Sequence, residues 1–187
     1  MSDDAPTPVD SKAGSGEPVP AYAEWFMLLG IWGLMLAVLN MFGMAHPTYH
    51  ISWGGLLTME LTNGAFETAK DGFQFSVLGD SLFIAICCGL IAMGLNQINR
   101  SQGAGEWVRG LIINDTWPAL ADPNVGGGSR TLAAWCLLLS FVFYFWFGIN
   151  HTGWTDVGVY SVTIALLASG YALNHLSRVP PGEENID

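Results

Sequence analysis

Four stretches of the chain carry apolar side chains for about the length needed to cross roughly 30 Å of hydrocarbon. They run from Trp25 to Ala45, from Phe75 to about Ile98, from Thr131 to Ile149 and from Val157 to about Leu176. The first contains no charged residue, and His46-Pro47 ends it, because a residue before proline is pushed out of helical geometry. The second carries one carboxylate, Asp80, near its start. The pattern predicts an all-α integral membrane protein built as a bundle of four transmembrane helices.

Between the first two runs, apolar positions at Ile51, Leu56, Leu57, Met59, Leu61 and Phe66 are interrupted by Glu60, Glu67, Lys70 and Asp71, with a turn signal at Asn63-Gly64. A membrane span carrying those charges would be costly. Residues 51–73 are therefore expected to lie at the outer interface, with a fifth, broken helix as the alternative. Residues 99–130 read as a polar cytoplasmic loop. In it, Glu106 to Ile113 forms a short amphipathic piece resting on the membrane face, and Asp122 to Ser129 a flexible linker. Residues 1–24, polar and rich in Pro, Gly and acid, predict a disordered cytoplasmic tail with no basic n-region of a signal peptide. Residues 179–187 predict a second tail.

Composition sharpens this. Charged residues make up 12% of the chain, against about 25% in an ordinary soluble domain. The net charge of -10 argues against nucleic acid as a partner. Lys12, Arg100, Arg109, Arg130 and Arg178 fall on one side of the four-span topology and only Lys70 on the other. Basic loops stay inside, so both termini are expected in the cytoplasm and the protein in the cell (inner) membrane. Cys87, Cys88 and Cys136 lie inside apolar runs and predict packing rather than disulfides.

Small residues let membrane helices approach. Ser81, Ala85 and Gly89 in the second span, Ser161, Ala165 and Ser169 in the fourth, and Gly33 and Ala37 in the first predict the helix–helix seams. Asn40 and Asn96 are expected to join helices by hydrogen bonds. Phe141, Phe143, Tyr144, Phe145, Trp146 and Phe147 surround the third helix. They predict contact on every side, with lipid, neighbouring helices, a pigment, a quinone or a second protein.

The candidate chemistry is sparse. His46, His50 and His151, with Asp156, fall at the outer edge, and imidazoles with a carboxylate suit a metal ion. The alternative is histidines hydrogen-bonded to water, headgroups or backbone. His175, near the inner end of the fourth span, is a candidate to hold a haem or chlorophyll from the side, with no second histidine on that side; the alternative is interfacial hydrogen bonding. Asp80 is the carboxylate most nearly inside the membrane, a candidate for proton or ion handling, set against simple stabilisation of a helix start.

Tyr144, Gly148-Ile149-Asn150-His151-Thr152 and Tyr160-Ser161 resemble a stretch of the bacterial urea and amide channel family. The resemblance spans Phe143 to Ala168 only and departs from that family's six-helix fold. It implies small-solute permeation as a class. Three readings follow. The first is a non-catalytic subunit of a larger bioenergetic or photosynthetic membrane complex, with the lipid bilayer and other membrane subunits, or further copies of itself, as partners. The second is a small-solute channel or transporter. The third is a metal-binding membrane enzyme or redox subunit.

Overall fold

A computed structural model describes residues 19–61, 64–68 and 72–178. The tails 1–18 and 179–187, Lys70 and Asn63 lie outside the described residues. Among the described residues, four helices are long and apolar enough to cross a membrane: α1 (Ala21–Met41), α3 (Gly79–Ser101), α5 (Gly127–His151) and α6 (Val157–Leu176). At 1.5 Å per residue they measure about 30 to 38 Å. Between α1 and α3 a two-stranded antiparallel hairpin, β1 (Tyr49–Ile51) and β2 (Phe66–Thr68), encloses the short helix α2 (Trp53–Leu57). The helix α4 (Ala104–Ile112) and a 3-10 turn, Pro118–Leu120, connect α3 to α5.

Several boundaries differ from the sequence expectation, each for a local reason. α1 begins at Ala21 rather than Trp25, with Pro20 at its N-cap. Ala23 is fully buried against Ile98 and Trp107, which draws the first turn out of the expected tail. α3 begins at Gly79 rather than Phe75. There the Ser76 amide donates to Asp80 Oδ2 (2.6 Å) and the Gly79 amide to Ser76 Oγ (3.4 Å), a reciprocal arrangement resembling a capping box. α5 takes in Gly127, Gly128 and Ser129, which the composition assigned to the linker. Gly126 and Gly127 enter the helix through positive φ (92° and 79°), conformations glycine adopts freely.

The closest helix partnerships are α1 with α3 and α5 with α6. The α1–α3 seam is a seven-residue repeat of small side chains. Ala23, Gly30 and Ala37, with Gly33 and Asn40, face Cys87, Gly94 and Ile98. A β-carbon on Gly30 would stand 2.8 Å from the Cys87 carbonyl oxygen. Ser81 and Ala85, expected in that seam, are exposed, and a β-carbon on Gly89 would meet nothing within 4 Å. Likewise Ser161, Ala165 and Ser169 of α6 are exposed, while Thr163 and Gly170 are buried toward α5. Helices that remain in contact over several turns follow a 3.5-residue period, so the repeat of seven marks the seam and a repeat of four drifts off it.

The two helix pairs meet through large side chains. Leu36, Ile51, Trp53, Tyr144, Trp154 and Val159 form the central cluster. The Trp32 indole N–H donates to the Tyr144 hydroxyl (3.0 Å), which donates to the Trp154 carbonyl (3.0 Å). Of the aromatic run on α5, Tyr144 is buried, Phe143 and Phe147 are half-buried, and Phe141, Phe145 and Trp146 face outward.

Candidate functional site

At the end of the bundle that holds the α1 C-terminus and the α5–α6 turn, a surface cleft of about 430 Å3 is lined by His46, Tyr49, Ile51, Phe66, Thr155, Asp156 and Val157. Local rules place each wall. α5 stops at Thr152, whose φ of 50° is left-handed, and Asp156 starts α6 by accepting the Val159 amide on Oδ1 (2.9 Å). Thr155 ties this turn to α1 by donating to the Ala45 carbonyl (3.2 Å). Strand alternation turns Tyr49 and Ile51 to the cleft, with Phe66 paired opposite Ile51.

His46 is held by its own loop. Nδ1 accepts from the amides of Thr48 (3.2 Å) and Tyr49 (3.3 Å), and the ring stacks on Tyr49 at 4.9 Å. A nitrogen that accepts two N–H groups carries no proton, so in the neutral ring the hydrogen sits on Nε2. In this arrangement His46 offers its Nε2–H as a hydrogen-bond donor.

The other predicted ligands are placed elsewhere. His50 alternates to the far face of β1 and is buried, and Nδ1 finds no hydrogen-bond partner among the described residues. His151 ends α5, exposed, beside Phe147. The structure thus brings His46 and Asp156 into one cleft. Among the described residues, no group of three His, Cys, Asp or Glu is arranged to hold a metal ion. His175 is exposed on the last turn of α6.

Asp80 is fully buried at the first turn of α3. α2 sits directly on this turn: a β-carbon on Gly79 would stand 2.7 Å from the Gly54 nitrogen, and the Trp53 ring stacks on Phe83 at 4.0 Å. Asp80 Oδ2 is used by the Ser76 amide, while Oδ1 has no partner among the described residues. Trp53 Nε1, Gln74 Oε1 and His50 Nδ1, all in the same cap over α1 and α3, are likewise buried and unpartnered.

Three features escaped the sequence reading. Asn40 does not join two helices. Its amide donates to the Ile51 carbonyl (2.8 Å) and accepts the Ile51 amide (2.9 Å), standing in for a missing strand beside β1. Asp115, in the loop, bridges Arg130 of α5 and Arg178 just beyond α6. The hydrogen bond from Arg130, with the nearby Arg178 charge, holds its carboxyl below the usual carboxylate range. The third is a groove of about 350 Å3 on the outward flank of α5 and α6, lined by Leu139, Val142, Phe143, Trp146 and Leu166. Asn40 had a sequence signal as an amide inside an apolar run, without its partner, and the groove had one in the bulky residues spaced three and four apart on α5; Asp115 had none.

Among the described residues, four helices have the length and apolarity to cross a membrane, which suggests a multi-pass membrane protein. Compared with protein-family models, with curated proteins and with solved structures, the chain shows no match.

Proposed function

We propose that this protein is a non-catalytic subunit of a larger membrane assembly of the bioenergetic or photosynthetic kind, placed in the cell membrane with both termini cytoplasmic. The observation that carries the reading is the α5–α6 groove. Leu139, Val142, Phe143 and Trp146 follow the i, i+3, i+4, i+7 stripe of one helix face, and Leu166 closes the groove from α6. These side chains lie beside the Ala133, Ser140, Tyr144 and Gly148 face that meets the protein's own bundle, and Phe143 is shared between the two. A hollow between bulky side chains is the shape that accepts the knobs of one partner transmembrane helix. The test is a photo-crosslinking residue at Val142, with one at Met93 on α3 as the control face. Crosslinks from position 142 to a distinct membrane polypeptide support the reading. Crosslinks to lipid alone, or equally from both positions, overturn it.

A second reading, proton or ion handling, rests on Asp80. A fully buried carboxylate with one unpartnered oxygen, at the same end of the bundle as unpartnered atoms of His50, Trp53 and Gln74, is the kind of group that takes up a buried water or an ion. Wild-type protein in liposomes would collapse an imposed pH or cation gradient faster than the Asp80→Asn variant. Equal rates would remove this reading.

A further inference from the structure

We propose that the cleft between the β1–β2 hairpin and the α5–α6 turn binds a zwitterion that joins a primary ammonium to a phosphate, as in the headgroup of an ethanolamine phospholipid.

Three observations converge. The first is the donor. With Nδ1 committed to two backbone amides, Nε2–H is the group that His46 has left to give, and a phosphate oxygen is its natural acceptor. The second is the acceptor. Asp156 spends Oδ1 on the Val159 amide, leaving Oδ2 for a cation, and no basic side chain among the described residues pairs with it. A primary ammonium can donate N–H to that oxygen, which a trimethylammonium cannot. The third is the setting. Tyr49 and Phe66 make an aromatic wall, with rings 6.2 Å apart and edge to face, suited to a cation. Ile51 and Val157 form the aliphatic part of the lining, and Val157, 76% exposed at the first turn of α6, is open to an acyl chain continuing from a bound headgroup.

The volume of about 430 Å3 fits a headgroup and the start of its chains, within the range of small-molecule sites. The site also joins parts distant in sequence: His46 follows α1, and Asp156 precedes α6. A bound headgroup would hold the two helix pairs together at this end.

The test uses the full chain in nanodiscs of mixed ethanolamine, choline and glycerol phospholipids, with retained lipid read by native mass spectrometry. Wild-type protein should keep ethanolamine lipid in preference to both others. Asp156→Asn keeps the N-cap, because asparagine caps as well as aspartate, but removes the charge. His46→Asn keeps an acceptor near the Nδ1 position and removes Nε2. Each should weaken retention about tenfold, the scale of a hydrogen bond to a charged group. Soluble phosphoethanolamine, titrated against thermal unfolding in detergent, separates the sources. Stabilisation by it that both variants lose, without lipid preference, supports the same chemistry with a free ligand. Equal retention of all three lipids with no response to phosphoethanolamine, or folded variants that bind as wild type does, would overturn the proposal.

Discussion

At Gly94 a β-carbon would lie 2.6 Å from the carbonyl oxygen of Ala23 and 2.9 Å from the amide nitrogen of Met27, both backbone atoms of α1. Backbone cannot swing aside as a side chain can, so a larger residue must push the helices apart. Gly94→Val is expected to cost about 1–3 kcal/mol, the range for overpacking a filled interior. Gly89→Val, on the same helix, meets nothing within 4 Å and should leave thermal unfolding in detergent nearly unchanged. If the two variants melt alike, the seam is misplaced. Asn40 offers a second test. Asn40→Leu keeps the volume but strands the Ile51 amide and carbonyl inside the protein, each costing about 1–3 kcal/mol when buried without a partner. Faster hydrogen exchange at the Ile51 amide in this variant is the expected readout, and unchanged protection would exclude the role given to Asn40.

Elements were legible in the sequence where one physical cause dominated. Uninterrupted apolarity marks the four long helices, because a bilayer tolerates little else. Their ends were less legible, because contacts from distant residues decide them. Trp107 and Ile98 extend α1 back to Ala21, and glycines at positive φ carry α5 back to Gly127. The charges of the 51–73 segment point to an interfacial position, but its hairpin with an enclosed helix needs Asn40 as a surrogate strand, and nothing local announces that. The cleft shows the same division. His46 and Asp156 were both visible as candidates, but their meeting depends on the Thr155 bond to Ala45 across 110 residues. Asp115 works at this scale too, tying the loop to the ends of α5 and α6. Its folded pKa is depressed, so the stability it gives is present above the unfolded carboxylate value, near about 4. That stability is lost as pH falls through the lower folded value. The Asp115 carboxylate is exposed, although the Arg130 side chain is mostly buried, so solvent screening of the carboxylate keeps the contribution to about 1 kcal/mol or less. Asp115→Asn should lower the melting temperature slightly at pH 7 and remove part of the wild type's loss of stability below about pH 4. A wild-type and variant pair whose melting curves stay parallel down to acid would show that the bridge carries no linked stability.

Across the whole molecule, close backbone packing lies within two pairs, α1 with α3 and α5 with α6, while aromatic side chains join the pairs. Each pair has its own small-residue seam, and each should fold as a unit in a membrane, where helices insert first and associate afterwards. The junction is of a different kind. Trp32 donates to Tyr144 and meets Tyr160 edge-on at 5.8 Å, while Tyr144 stacks on Tyr160 and donates to Trp154. An aromatic pair contributes about 0.5–1.5 kcal/mol beyond its burial, and a net hydrogen bond about the same. A handful of such terms holds two pre-formed halves together without welding them. The chain divided between Ile113 and Asn114 leaves Asp115, Arg130 and Arg178 in one fragment. The two co-expressed fragments are therefore expected to copurify in mild detergent through an affinity tag on either one. Tyr144→Phe keeps the ring and deletes the hydroxyl that serves both halves, so recovery of the untagged fragment should fall several-fold, as one or two lost hydrogen bonds imply. Cys88→Ala, on the exposed face of α3, should not alter it. Fragments that never copurify would mean that the halves depend on each other to fold. Copurification indifferent to the Tyr144 hydroxyl would shift the junction's strength from the Trp32–Tyr144–Trp154 chain to ring packing alone.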